Sequence, residues 1–121
     1  MKKYIFSFAL TILIVISLSS FSKQATSEAR DILRLFPDAD IIMWEEKIYI
    51  TDVEWLENID LQQGEKIGKV TKQTKRARNF KNGTSTHLPV GTEIYRAEGR
   101  SSFIIVIDGE DKKKYVNLLD G

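Results

Sequence analysis

The sequence predicts an α+β domain in which a short N-terminal helix packs on a mostly antiparallel sheet of about six strands, open or curled into a partly open barrel. Three observations predict this. Apolar residues recur at helical spacing at Ile32, Leu33 and Phe36, against Arg30, Asp31 and Arg34, and Pro37 then intervenes. Past Pro37 the residues turn β-branched and aromatic with a period of two, broken by Gly- and Asp-containing turns. The length, 121 residues, suits one domain, and no repeat or linker-like stretch divides it.

At the N-terminus, Met1-Lys2-Lys3 is a short positive region, and Tyr4 to Leu18 follows without a charge. That run of about 15 residues has the length of a signal-peptide apolar region and falls short of the roughly 20 that a membrane span needs. Ser20-Phe21-Ser22, Ala25-Thr26-Ser27 and Ser27-Glu28-Ala29 offer small-x-small cleavage triplets. The expected organisation is a signal peptide over 1–27, cut somewhere in 22–29, and a single small domain over 28–121. The alternative is an uncleaved anchor running from Tyr4 through Phe21. Either way the domain is expected outside the cytoplasm, secreted or associated with the cell envelope.

The chain has no Cys, which excludes disulfides, zinc-thiolate sites, a thiol nucleophile and lipidation at a cysteine. An exported domain of this size must then rely on packing alone. Together with the Lys-Lys start and Ile-rich apolar run, this suits a Gram-positive source.

The helix is expected over about Ser27 to Leu35, with Thr26 or Ser27 as N-cap and Glu28 in the first turn. Asp40 to Trp44 and Lys47 to Thr51 read as two strands joined by a tight Glu45-Glu46 turn without a glycine. Asp52 to Glu57 reverts to helical spacing, with Asp52 as a cap. Glu65 to Thr74 reads as a strand through Ile67 and Val70, but its lysines and Gly68 place it at an edge or bend it at a bulge. Gly91 to Arg96, Ser101 to Ile107 and Lys113 to Leu119 form a meander, the second turn carrying the Asp108-Gly109 hairpin signal. Phe103 to Ile107 is apolar on both faces and is expected in the middle, covered on both sides. Trp44, Tyr49, Trp55, Tyr95 and Phe103 suffice for most of a small core and are expected inside.

Asp38-Ala39-Asp40-Ile41, a Trp55-Leu56 helix, Gly64, an Ile67-Gly68-Lys69-Val70 strand and the run from Asn82-Gly83-Thr84 through Leu88-Pro89-Val90-Gly91-Thr92-Glu93-Ile94-Tyr95 together resemble a family of small, uncharacterised exported proteins and lipoproteins of Bacillus-type bacteria. The resemblance covers about residues 30 to 121 and implies an extracytoplasmic setting. It brings no activity and no catalytic motif. Lipoprotein members carry a Cys after the apolar run, where this chain has Ser19 and Ser20.

Residues with chemistry are few. His87 is the single imidazole, and with no Gly-x-Ser-x-Gly elbow it reads as a solvated loop histidine. Asp38 and Asp40 lack the third ligand and the glycine of a Ca²⁺ loop, and read as a solvated linker. Asp108, Glu110 and Asp111 suit a hairpin tip better than an ion site. Glu54 and Glu57 are expected in solvent, and Asn82-Gly83-Thr84 reads as a turn.

Charge is segregated. With 18 Lys plus Arg against 17 Asp plus Glu the net charge is +1, yet Asp40 to Glu65 holds eight acids and one Lys, while Lys69 to Lys81 holds six bases and no acid. The bases are Lys69, Lys72, Lys75, Arg76, Arg78 and Lys81. A Lys-rich edge that prevents strand pairing would account for them, and so would a site for an anionic partner. The expected function is a non-enzymatic binding or interaction module of the envelope, without cofactor or metal, in which this segment contacts an anionic cell-wall polymer or an acidic protein. The near-neutral total disfavours nucleic acid. Membrane contact is expected only through an uncleaved N-terminal segment. The alternatives are a small secreted hydrolase or inhibitor-like protein using carboxylates, and a self-associating structural protein.

Overall fold

Pro37 stops a helix. In the computed structural model, which describes residues 24–119, helical backbone (α1) covers 24–35, and the last turn closes through Phe36 N–H to the Ile32 carbonyl at 2.7 Å. Pro37 forces the residue before it out of the helical region. Ala25 and Ala29 are buried, and Ile32 and Leu33 are packed with them, so one narrow stripe faces the sheet. Thr26 and Ser27 lie within the helix, not at its cap as expected. The apolar N-terminal run and the first of the cleavage triplets lie outside the described residues.

Eight strands follow: β1 (Ile41–Trp44), β2 (Lys47–Ile50), β3 (Gln63–Lys69), β4 (Lys72–Gln73), β5 (Thr84–Ser85), β6 (Glu93–Ala97), β7 (Phe103–Asp108) and β8 (Asp111–Val116). They form one sheet in the order β3-β6-β7-β8-β2-β1-β5-β4. The expected α+β class and partly open barrel hold, and the count is eight where about six were expected. The difference has two causes. The single strand expected over Glu65 to Thr74 is divided into β3 and β4, and Thr84-Ser85 adds a two-residue strand without visible periodicity.

The division of β3 from β4 curls the sheet. They lie at its two ends yet are separated only by Val70 and Thr71. Val70 N–H donates to Thr92 O at 2.8 Å on the β6 side, and Thr71 N–H donates to Gly83 O at 2.9 Å on the β5 side. One bent run therefore serves both margins. β4 pairs with β5 in parallel, so the sheet is mixed. Register shifts in β3 around Lys66 supply the bend, as a bulge should. Gly68 is required by close approach as well: a Cβ there would lie 2.2 Å from the Trp44 ring.

The β1–β2 turn works without glycine because Glu45 and Glu46 both take left-handed backbone, φ 49° and 65°. This is the primed-turn geometry that matches strand twist, at about 1 kcal/mol or more for each non-glycine residue. The Asn82 side-chain oxygen accepts Glu45 N–H at 2.8 Å and helps hold it.

Alternation of side chains divides the core. Ile42, Trp44, Tyr49, Ile94, Ile104, Val106 and Tyr115 fill the inner face of the curl with Val70 and Leu88. Ile41, Met43 and Ile48 point the other way, under α1. Phe103, Ile105 and Val116 pack outward under the segment holding Val53, Leu56, Ile59 and Leu61. β7 is thus the middle strand covered on both faces. The turn after Asp52 is a 3-10 helix over Glu54–Asn58 flanked by Val53 with no side-chain cap, and Asp52 takes φ 62° instead of capping it. Trp55 is 43% exposed, edge-on to Phe103 with ring centroids 6.5 Å apart, and so is not core.

Candidate functional site

The basic segment begins at the end of β3 and runs through β4 and a 3-10 turn over Ala77–Asn79. Its backbone is fastened at several points. Arg76 N–H donates to Thr74 Oγ1 at 3.2 Å, Phe80 N–H to Ala77 O at 3.0 Å, and Lys81 N–H to Thr84 Oγ1 at 3.1 Å. Phe80 is buried and Ala77 half-buried against α1, β1 and β2. Two apolar anchors therefore hold a turn from which Arg76, Arg78 and Lys81 project into solvent. None of these three makes an ion pair among the described residues.

The other three bases are divided off. Lys72 Nζ donates to the Asn79 carbonyl at 3.2 Å, so it braces the turn. Lys75 lies 4.0 Å from the Asp38 carboxylate, both exposed, a contact of at most about 1 kcal/mol. Lys69 stays on β3 and lines a separate cleft with Lys66, Pro89 and Asp108. Lys66 there pairs with Glu93 at 2.6 Å. Their hydrogen bond, reinforced by the opposite charges, raises the lysine pKa and lowers the glutamate pKa. Of the six bases this leaves Arg76, Arg78 and Lys81 exposed and without an ion pair among the described residues, on a stretch followed by Asn82, which meets the Glu45-Glu46 turn.

Lys112, Lys113 and Lys114 form a second basic run on β8, but two of the three are engaged. Lys114 Nζ donates to the carbonyls of Ile59 at 2.6 Å and Glu57 at 3.3 Å, closing the end of the 3-10 turn. Lys113 Nζ reaches Asp40 Oδ2 at 3.4 Å.

Asp40 overturns one expectation. Asp38 is exposed, as a linker residue should be, but Asp40 is only 7% exposed and accepts the Tyr115 hydroxyl hydrogen bond at 2.8 Å. A buried carboxylate is costly unless its oxygens are satisfied, and here both are. Burial first, and then the adjacent Asp40 charge, push the Tyr115 phenol far above its ordinary pKa. Asp40 walls a cavity of about 190 Å³ that also holds His87, Asp108 and Asp111. His87 Nε2 lies 2.9 Å from the Asp38 carbonyl, which ties the exposed imidazole to the linker. Among the described residues no three His, Asp or Glu side chains come together to hold a metal ion. Glu54 and Glu57 are exposed, as expected.

Sequence reasoning missed the Asp40–Tyr115 pair because its members are 75 positions apart and each lies in an ordinary strand pattern. The usable signal was an acid set directly before the all-apolar run Ile41-Ile42-Met43-Trp44. No helix among the described residues is long and apolar enough to cross a membrane. No family model, curated protein or solved structure matches the chain.

Proposed function

We propose that the chain is an exported, non-enzymatic binding module of the cell envelope that holds an anionic polymer at the rim formed by Arg76, Arg78 and Lys81. The observation that carries the reading is the presentation of three exposed cations, without ion-pair partners among the described residues, on a turn fastened by Ala77 and Phe80. A pre-fastened turn loses little backbone freedom on binding, so only the side chains of the three cations have to be ordered at the moment of contact. The likeness to small exported proteins and lipoproteins of Bacillus-type bacteria belongs to the same reading and supports its setting, as does the apolar run from Tyr4 to Leu18.

The mechanism is charge neutralisation with release of counterions. Three contacts to a flexible polyanion give a slope of log K against log salt of about −2. The test is co-sedimentation with purified wall teichoic acid at several ionic strengths. Binding is expected to weaken with salt and to fall about tenfold or more in Arg76→Glu/Arg78→Glu. Indifference to both changes contradicts the reading, and equal loss in a Lys112→Glu control makes the attraction non-local. Preference for an acidic protein over the polymer would redirect it to the other anionic partner. Export has its own check: in a Gram-positive host the released chain should begin between residues 23 and 30, and an intact chain held in the membrane fraction would show an anchor instead.

A further inference from the structure

The end of α1 and the segment after β2 enclose an open cleft of about 520 Å³ that Asp38 also lines. Its walls are mainly apolar, from Ile32, Leu35, Phe36, Ile50 and Val53. Leu35 and Phe36 stand at its lip, 69% and 66% exposed, consecutive large apolar side chains that the fold leaves uncovered among the described residues. Isolated apolar residues on a surface need no explanation, but a pair beside a concavity of ligand size does.

The polar part of the lining has one sign. Asp38, whose carboxylate Lys75 also approaches to 4.0 Å from outside the lining, and Asp52 contribute exposed carboxylates, and no Lys or Arg lines the cleft itself. The final turn of α1 brings the negative end of the helix dipole to the same place. Asp52 also holds a left-handed backbone, φ 62°, which costs a non-glycine residue about 1 kcal/mol or more. The hydroxyl of its neighbour Thr51 donates to Lys114 O at 2.8 Å, fixing the strained corner to β8.

We infer that this cleft is a docking site for a cationic, apolar peptide segment of a partner protein, its apolar side chain seated between Phe36 and Val53 and its Lys or Arg facing Asp38 and Asp52. Charge selects this occupant over an anionic lipid surface, which the two carboxylates repel, and over a second copy's basic rim, which presents no large exposed apolar residue between Arg76 and Lys81. The inference does not depend on the anionic-polymer reading, since it concerns a different face with the opposite sign.

The experiment uses the full mature chain and a fluorescein-labelled ten-residue peptide of alternating Lys and Leu, followed by anisotropy. Two control peptides replace Leu by Ser or Lys by Glu. Binding of the Lys/Leu peptide alone is expected, weakened about fivefold or more by Phe36→Ser and by Asp52→Gly. Phe36 is exposed, and Asp52→Gly suits the left-handed backbone, so both variants should keep the wild-type melting temperature. Arg76→Glu/Arg78→Glu should bind the peptide as wild type does, even if polymer binding is lost. Absence of binding, equal binding of the Lys/Ser peptide, or indifference to Phe36→Ser overturns the inference. So does loss through Phe36→Ser of binding to anionic vesicles, or of a concentration-dependent increase in mass, because the face would then serve a membrane or a second copy.

Discussion

Asp40 and Tyr115 show how much one buried polar pair controls. Tyr115 is fully buried, and its hydroxyl donates to a carboxylate that Lys113 also reaches, so the residue just before β1 is joined to β8, which is separated from β1 in the sheet by β2. Removing one member leaves the other buried and unsatisfied. Asp40→Ala should cost about 2–4 kcal/mol and Tyr115→Phe about 1–3 kcal/mol, measured by urea unfolding at pH 7. Much smaller losses would mean that water reaches the site. The pair also sets a limit at alkaline pH. Because the folded phenol is held far above its ordinary value of 10.0, its contribution is complete below that pH. Above it the unfolded chain ionises Tyr115 while the folded chain does not, so stability should fall by about 1.4 kcal/mol per pH unit from this group. Unfolding at pH 9 to 11.5 checks this, and Tyr115→Phe should lose that increment of slope.

At the scale of elements, the bent run from β3 through β4 decides both the shape of the sheet and the place of the basic rim. Gly68 lets the Trp44 ring lie against the strand, so Gly68→Val should cost about 1–3 kcal/mol through overpacking. Phe80→Ala should destabilise by about 3–5 kcal/mol, and hydrogen exchange should show early loss of protection at Phe80 and Thr84, the amides that fasten the rim. Protection unchanged there would separate Phe80 from the rim's rigidity. Much of this architecture was legible. The β1–β2 hairpin, the meander and the two-faced β7 follow from periodicity and the Asp108-Gly109 turn. The edge position and bulge of β3 follow from its lysines and glycine. What was not legible depends on closure. Nothing local says that Val70 and Thr71 pair in opposite directions, or that Thr84-Ser85 becomes a strand. Asp52 looks like a cap by type, yet its backbone serves a corner. Of the six bases read as one segment, the three from Arg76 to Lys81 share a turn, because Lys69 precedes the bend, Lys72 is used as a brace and Lys75 meets Asp38.

For the whole molecule, a net charge of +1 is an average over an acidic stretch, Asp40 to Glu65, and a basic one, Lys69 to Lys81. Asp38 borders both proposed sites, since Lys75 approaches its carboxylate to 4.0 Å. The same residue lines the acidic apolar cleft at the end of α1. His87, held to the Asp38 carbonyl, braces the boundary. On the two proposals made above, the basic address would engage an anionic polymer and the acidic one a cationic segment, and charge reversal at one is expected to leave the other intact. The most direct measurement is a map of backbone amide shifts in the ¹⁵N-labelled mature chain during titration with wall teichoic acid. Perturbations confined to residues 74–84, vanishing as salt rises and absent in Arg76→Glu/Arg78→Glu, are the predicted result. Perturbations spread along β8 or gathered around Leu35 and Phe36, with residues 74–84 silent, would contradict it.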